Sequence, residues 1–377
     1  VSIITGPPGT GKTFCIKKIL EFFNSKNLSV SLIAPTGKAA IRMEEVTGFQ
    51  AKTIHSFLIP VDGSLTHFKH NEGNPILSDV LILDEFSMVG TELFASLLEA
   101  IPTGTKLILV GDADQLPSIS PGFLLGDLIK SRMIDFIELK ELVRTKQNSL
   151  IAINAKKIHD NETDLEAGED FVWKRLQDEE LIQSEILTLV KRKLEMGEEV
   201  PQILVPMHRS KIGTQTLNLT LREIINPNGQ RISGTQFHLG DRFLYTSNDY
   251  KLEIMNGDIG TILDYDPKKE QFVVHLDLDR EEERKFLPID STSKMLFAYA
   301  ITIHKSQGSE FPEVIIPLHT SHNIMLRKNL IYTAITRAKK RAYLFASKPV
   351  VIQAIKTLQS NRRTNILDLF SVLENRN

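Results

Sequence analysis

The chain has 377 residues, 41% hydrophobic and 24% charged, with one cysteine and a formal net charge of -2. That length exceeds one simple core, so two or three domains are expected. No apolar run nears the ~18 residues of a membrane span, no secretory leader is visible, and Cys15 alone forms neither a disulfide framework nor a cysteine zinc site. A cytoplasmic protein is therefore expected, and any polyanion partner must be held by a local groove, because the net field does not attract it.

From Val1 to about Leu139 short apolar runs alternate with helix-like stretches: VSIIT, SVSLIAPT, DVLILDE, KLILVGD and DFIEL. This alternation predicts a parallel sheet with helices on both faces. The strand VSIIT opens the chain without an initiator Met, so a fragment of a longer protein is expected. Apolar spacing predicts helices over 148–159 and 178–196, with a polar loop over 160–170 between them. A second alternating region begins at QILVPM (Gln202) and ends at RAYLFAS (Ser347). Gln230 to Ile289 interrupts it with DRFLYT, GTILDYD and QFVVHLDLD, in which Phe272, Val274 and Leu276 alternate with more polar neighbours. The interruption reads as a small β-barrel inserted into the second α/β domain.

GPPGTGKT, Gly6 to Thr13, follows a strand and opens a helix, matching G-x-x-x-x-G-K-[ST] in its proper context. Its glycines let backbone N–H groups converge on phosphate oxygens at a helix N-terminus. Lys12 then meets the β- and γ-phosphates, and Thr13 ligates Mg²⁺. The apolar run before Asp84 and Glu85 delivers both carboxylates at a strand's carboxyl end, where α/β sheets place ligands. Asp84 suits Mg²⁺, and Glu85 suits orienting and deprotonating an attacking water. KLILVGDADQ ends a third strand in Asp112, Asp114 and Gln115, polar groups placed to sense the γ-phosphate. The set predicts nucleotide hydrolysis. A phosphoryl-transfer site also needs cations on the developing charge, and Arg144 and Arg337 are the two candidates. Taken singly, either arginine is an ordinary surface residue.

GPPGTGKT, APTGKAA, TIHSFL, LILDEFSM, VGDADQLPSISPG, LVRTKQNSLIAINAKKI, AYAITIHKSQGSEF and IYTAITRAKK, in this order, resemble the successive motifs of superfamily 1 helicases. They are most similar to the RecD-like class B group, which moves 5′ to 3′ on single-stranded DNA. The resemblance covers nearly the whole chain. It implies an α/β fold of two RecA-like P-loop NTPase lobes with parallel sheets, ATP between them, and a small SH3-like β-barrel inserted in the second lobe. The lobes would span 1–140, and 141–229 with 294–377; the barrel would span 230–293.

By that resemblance Lys12, Thr13, Asp84, Glu85, Gln115, Arg144 and Arg337 are the ATPase residues. Gly6, Pro7, Pro8, Gly9, Thr10, Gly11 and Phe14 would complete the nucleotide contacts with Gly308, which lets backbone approach closely, and Glu310; Gln307 and Glu310 would relay the nucleotide state. Thr302, His304, Lys305, Ser306, Gln307 and Ser309 would contact DNA phosphates, joined by Pro206, Met207 and Asn256. On the first lobe Pro35, Thr36, Gly37, Lys38, Thr53 and His55 would do the same. For His55 and His304 a structural role is the alternative, and for Lys38 and Lys305 an ordinary surface position. Gly63–Pro75 suits a small hairpin that splits the duplex with Phe68 or His67 at its tip; a plain exposed loop is the alternative.

Two departures stand out. Arg144-Thr145 replaces the family's frequent Arg-Gln, and the family's adenine-contacting segment lies upstream of the first strand, so weak ATP binding is expected of the isolated fragment. The implied partners are single-stranded DNA and forked duplex, with protein partners of a repair or recombination complex unspecified. Two rivals remain open: a non-unwinding translocase or RNA-directed motor, and a nucleotide-gated binding module without catalysis. Intact Lys12, Glu85 and Arg337 weigh against the second.

Overall fold

The computed structural model describes residues 1–61, 64, 66–140, 149–249, 251–277 and 283–357. Arg144 and Thr145 lie outside the described residues. The described residues divide into two compact units, the first from Val1 to Ala152 and the second from Ile153 to Thr357.

In the first unit the elements run β1 (Ser2–Thr5), α1 (Lys12–Ser25), β2 (Val30–Ala34), α2 (Gly37–Thr47), β3 (Ala51–Thr53) and α3 (Ile54–Leu58). They continue through β4 (Val80–Leu83), α4 (Thr91–Ala100), β5 (Lys106–Gly111), α5 (Leu124–Ser131) and β6 (Phe136–Glu138). The strands form one parallel sheet in the order β3-β2-β4-β5-β1-β6. Because side chains alternate along a strand, neighbours in sequence enter opposite cores. Ile3, Ile33, Leu81, Leu83 and Leu109 pack with α3, α4 and α5. Ile4, Leu32, Ala34, Val80, Ile82 and Val110 pack with α1 and α2. A sheet covered on both faces needs the unbroken apolar strands that the sequence shows.

α6 (Leu150–His159) leads into β7 (Phe171–Lys174), α7 (Glu179–Glu195), β8 (Gln202–Val205) and α8 (Thr214–Ile225). The antiparallel strands β9 (Arg242–Tyr245), β10 (Ile259–Asp266), β11 (Gln271–Leu276), β12 (Lys285–Pro288) and β13 (Met295–Phe297) follow. The second unit ends with β14 (Ala300–Thr302), β15 (Phe311–Pro317), α9 (Lys328–Thr336), β16 (Ala338–Phe345) and α10 (Lys348–Lys356). A second parallel sheet runs β14-β8-β15-β16-β7, and the antiparallel sheet runs β12-β11-β10-β9-β13. The latter has its own core of Phe237, Phe243, Tyr245, Ile262, Phe272, Val274 and Leu287. Among the described residues no helix is long and apolar enough to cross a membrane.

Short strands escape sequence reading. β3 and β13 have three residues each, and β7 and β12 four, too few for alternation to show.

Candidate nucleotide site and nucleic-acid interface

The register of the first sheet brings its chemistry to one edge. Thr5 pairs with Gly111 and Leu83 with Leu109, so Gly6, Asp84 and Asp112 emerge from adjoining carboxyl ends of β1, β4 and β5. After β1 the chain curls through Gly9 (φ 83) and Gly11 (φ 84), and Gly11 caps α1. Those positive φ values suit glycine. Thr10 Oγ1 donates to Pro7 O at 2.8 Å, closing the curl, and Lys12 Nζ donates to Gly6 O at 2.6 Å and Pro7 O at 3.0 Å. A Cβ at Gly6 would stand 2.5 Å from Leu139 O, so the loop passes too close to β6 for a side chain. Thr13 is partly buried on the first turn of α1, and Phe14 is exposed with Lys18 Nζ 5.7 Å from its ring centre.

Asp84 is buried, and burial, then the Glu85 charge, push its carboxyl up to about 6; Lys12 and Arg42 act in the opposite direction. Burial likewise raises Asp112, again against the pull of Lys12. Gln115 is buried and donates from Nε2 to Asp112 Oδ2 at 3.2 Å. Glu85 stands in the left-handed region at φ 51 while its N–H donates to Asp84 Oδ1 at 2.9 Å. Crowded buried carboxylates facing one lysine favour a divalent cation. No group of three or more His, Cys, Asp or Glu able to hold a metal occurs among the described residues. Thus Lys12, Thr13, Asp84, Glu85, Asp112 and Gln115 gather at one strand edge. Arg42, which sequence reading missed, bears on Asp84 through its charge; its position one helical turn after Lys38 on α2 was the available signal.

The edge strands β3 and β14 of the two parallel sheets each lead into the same tripeptide, Thr-Ile-His. Thr53 closes β3 and Thr302 closes β14. Thr53 Oγ1 accepts from Ser56 N at 3.0 Å, and Thr302 Oγ1 accepts from Lys305 N at 3.3 Å, so each threonine caps the turn after its strand. Ile54 and Ile303 are fully buried, which presents His55 and His304 at matching, half-buried positions. Burial lowers the pKa of His55 and of Lys305. Thr36 similarly caps α2 by accepting from Ala39 N at 3.3 Å, with Lys38 buried in that helix's first turn. Pro206 and Met207 follow β8, the proline buried and the methionine partly so.

Residues 303–310 run from the carboxyl end of β14 to the amino end of β15, across the second sheet. At the first end Lys305 Nζ donates to Asn256 Oδ1 of the antiparallel domain at 3.1 Å. At the other, past Gly308 (φ 75), Arg337 is buried and reaches the same segment: Nη1 donates to Ser309 O at 3.1 Å and Nε to Thr333 O at 3.3 Å. Phe311 N donates to Arg337 O at 2.8 Å, and Glu310 pairs with Lys339 at 3.6 Å. Gln307 and Ser309 are buried between these ends.

Two expectations are corrected. Ser306 is fully buried and donates to Ile303 O at 2.8 Å, so its hydroxyl is spent inside the turn. Phe68 is not at a hairpin tip. It is 8% exposed, packs in the first unit's core and meets the His55 ring edge-on at 5.9 Å, because burying an aromatic ring outweighs displaying it. His67 is exposed.

Comparison with known proteins finds three family models along the chain. The family model for an AAA domain matches residues 1–182, that for the ATP-dependent RecD-like DNA helicase SH3 domain matches 217–276, and that for the UvrD-like helicase C-terminal domain matches 297–345. The ATP-dependent RecD2 DNA helicase of Deinococcus radiodurans is 36% identical over 97% of this chain and 50% of its own length. The RecBCD enzyme subunit RecD of Mycolicibacterium smegmatis is 29% identical over 97% of this chain and 72% of its own. The chain thus spans half the length of the Deinococcus relative. Among solved structures, Bacteroides Pif1 bound to ssDNA matches with a TM-score of 0.58 at 19% identity, covering 100% of this chain and 94% of that one. That likeness shows the fold: two RecA-like lobes with parallel sheets and an SH3 domain. An AAA-domain model, two helicase-domain models after it in chain order, and RecD-type relatives along nearly its whole length support placing the chain with the RecD-like superfamily 1 helicases.

Proposed function

We propose that the chain is the motor of an ATP-dependent DNA helicase that moves 5′ to 3′ along single-stranded DNA and separates the duplex ahead of it. The observation that carries this reading is the segment 303–310, whose one end bears His304 and Lys305 and whose other end is tied to Arg337 through Ser309 O. An arginine that meets a nucleotide cannot shift without moving Ser309, and a shift of Ser309 reaches Lys305 through a few buried residues. ATP would sit on the Gly6–Thr13 curl with Lys12 on its phosphates, Thr13 and Asp84 holding Mg²⁺, which neutralises phosphate charge when bound. Glu85 would take the proton of the attacking water, and Gln115 and Arg337 would sense the γ-phosphate. The lobes would span 1–140, and 141–229 with 294–377. The grip on DNA would alternate between the Thr53–His55 and Thr302–Lys305 turns.

The relatives support this reading: the Deinococcus RecD2 is an ATP-dependent DNA helicase, and a Pif1 structure concerns DNA unwinding at forked dsDNA. RecD's place in RecBCD supports a protein partner in a recombination complex. The test is ATP hydrolysis stimulated by single-stranded DNA, before and after Glu85→Gln. Removing the base should lower turnover by about 100-fold or more while nucleotide binding survives; equal turnover in the two proteins defeats the assignment. Labelled forks with a 5′ tail, a 3′ tail or RNA arms then decide polarity and substrate, and a preference for the 3′ tail or for RNA rejects that part.

A further inference from the structure

The hairpin that follows α3 is joined to it through a strained residue. Ile59 caps α3 at φ 59 and ψ 96, a setting that a β-branched residue holds only where its surroundings enforce it. Both of its backbone groups are tied: its N–H donates to His55 O at 2.9 Å, and its carbonyl accepts from Lys69 N at 2.8 Å. Its side chain is 43% exposed, so packing alone does not account for isoleucine where glycine would remove the strain. What isoleucine supplies is a backbone with few alternative conformations.

Across this joint Phe68 bridges to Pro60 and sinks among Phe57 and Leu58, its ring against His55. Val61 N–His67 O at 2.9 Å, His70 N–Leu58 O at 3.1 Å and Asn71 Nδ2–Phe68 O at 3.3 Å complete the base of the hairpin. The turn that carries Thr53 and His55 and the hairpin base therefore share hydrogen bonds, a ring contact and one constrained residue.

We infer that Ile59 and Phe68 are positioning residues that lock the hairpin base to the Thr53–His55 turn, so that a hairpin that splits the duplex would not swing relative to the turn that would grip the strand. The inference rests on the helicase reading above and deepens it. A hairpin transmits force to a base pair only if its root does not yield. With a loose root the motor still consumes ATP on single-stranded DNA, but fewer base pairs open for each ATP.

The experiment measures, in the full chain, unwinding of a forked DNA duplex, single-stranded-DNA-stimulated hydrolysis, and hydrogen exchange at the Ile59-position and Lys69 amides. The variants are Ile59→Gly, Phe68→Ala and Phe68→Leu. Expected for Ile59→Gly and Phe68→Ala is about tenfold slower unwinding with hydrolysis nearly unchanged. Exchange at the two amides should rise about tenfold in Ile59→Gly. Phe68→Leu, which keeps the apolar bulk, should recover much of the unwinding, and its thermal midpoint separates loss of the lock from loss of folding. Unwinding at the wild-type rate in Ile59→Gly, or unwinding and hydrolysis falling together in all three, overturns the inference. Unchanged amide exchange overturns it independently of unwinding, whereas a wild-type chain that hydrolyses ATP without opening forks fails at the helicase reading instead.

Discussion

His322 is fully buried just after β15, where its Nδ1 accepts from His319 N at 3.3 Å and its Nε2 has no partner among the described residues. Burial pulls its pKa down to about 4, with the charge of Glu179 opposing and that of His319 assisting. The sign follows directly. Above pH 6.5 the imidazole is neutral in both folded and unfolded chains and contributes no pH dependence. Between the ordinary value near 6.5 and about 4, the unfolded chain binds a proton that the folded chain refuses, so stability falls as pH falls. The loss from this residue approaches about 3 kcal/mol at the bottom of that window. His322→Asn, whose amide oxygen can replace Nδ1 as acceptor, should flatten that part of the profile. Urea midpoints of both proteins at pH 7 and pH 4.5 check it; parallel profiles reject it. Glu85, the proposed base, is a second residue with an unusual setting, since its backbone stands in the left-handed region.

At the scale of elements, the antiparallel domain is fastened to the second parallel sheet by a buried polar junction. Asp241, fully buried before β9, accepts from Tyr299 OH at 2.8 Å, Asn226 Nδ2 at 2.8 Å and His238 N at 2.7 Å. Burial and the Asp241 charge push the Tyr299 hydroxyl well above its ordinary range. A buried carboxylate is tolerable only while such donors surround it. Tyr299→Phe removes one donor without altering shape, so it should destabilise the second unit by about 1–3 kcal/mol. It should also weaken DNA binding by loosening the Asn256–Lys305 contact. Chemical denaturation and a single-stranded-DNA titration measure the two effects, and unchanged stability refutes the junction. This junction was invisible to sequence reading because Asn226, Asp241 and Tyr299 come from separate elements with no fixed spacing. The apolar strands and the strand–loop–helix at Gly6–Thr13 were legible because each is contiguous and its spacing is its geometry.

For the molecule as a whole, a net charge of -2 means that, in the proposed function, DNA would be held by a few local cations and backbone N–H groups, without help from the overall field. Affinity for single-stranded DNA should therefore fall steadily with salt, with a slope of about -0.7 per phosphate neutralised, and depend little on base sequence. Lys305→Ala should reduce that slope by roughly one phosphate's share; a titration from low to moderate salt with the slope unchanged contradicts a phosphate contact there. The order of motifs along the chain was enough to determine nucleotide chemistry, two α/β regions and an inserted β domain, since each rests on neighbours within a few residues. Which side chains face outward was decided only by tertiary packing. Phe68 and Ser306 turned inward, Arg337 came to rest against Ser309, and Lys305 met Asn256 from 49 positions away. Direction and burial depend on what the rest of the chain stacks against a residue, and local spacing carries no record of that.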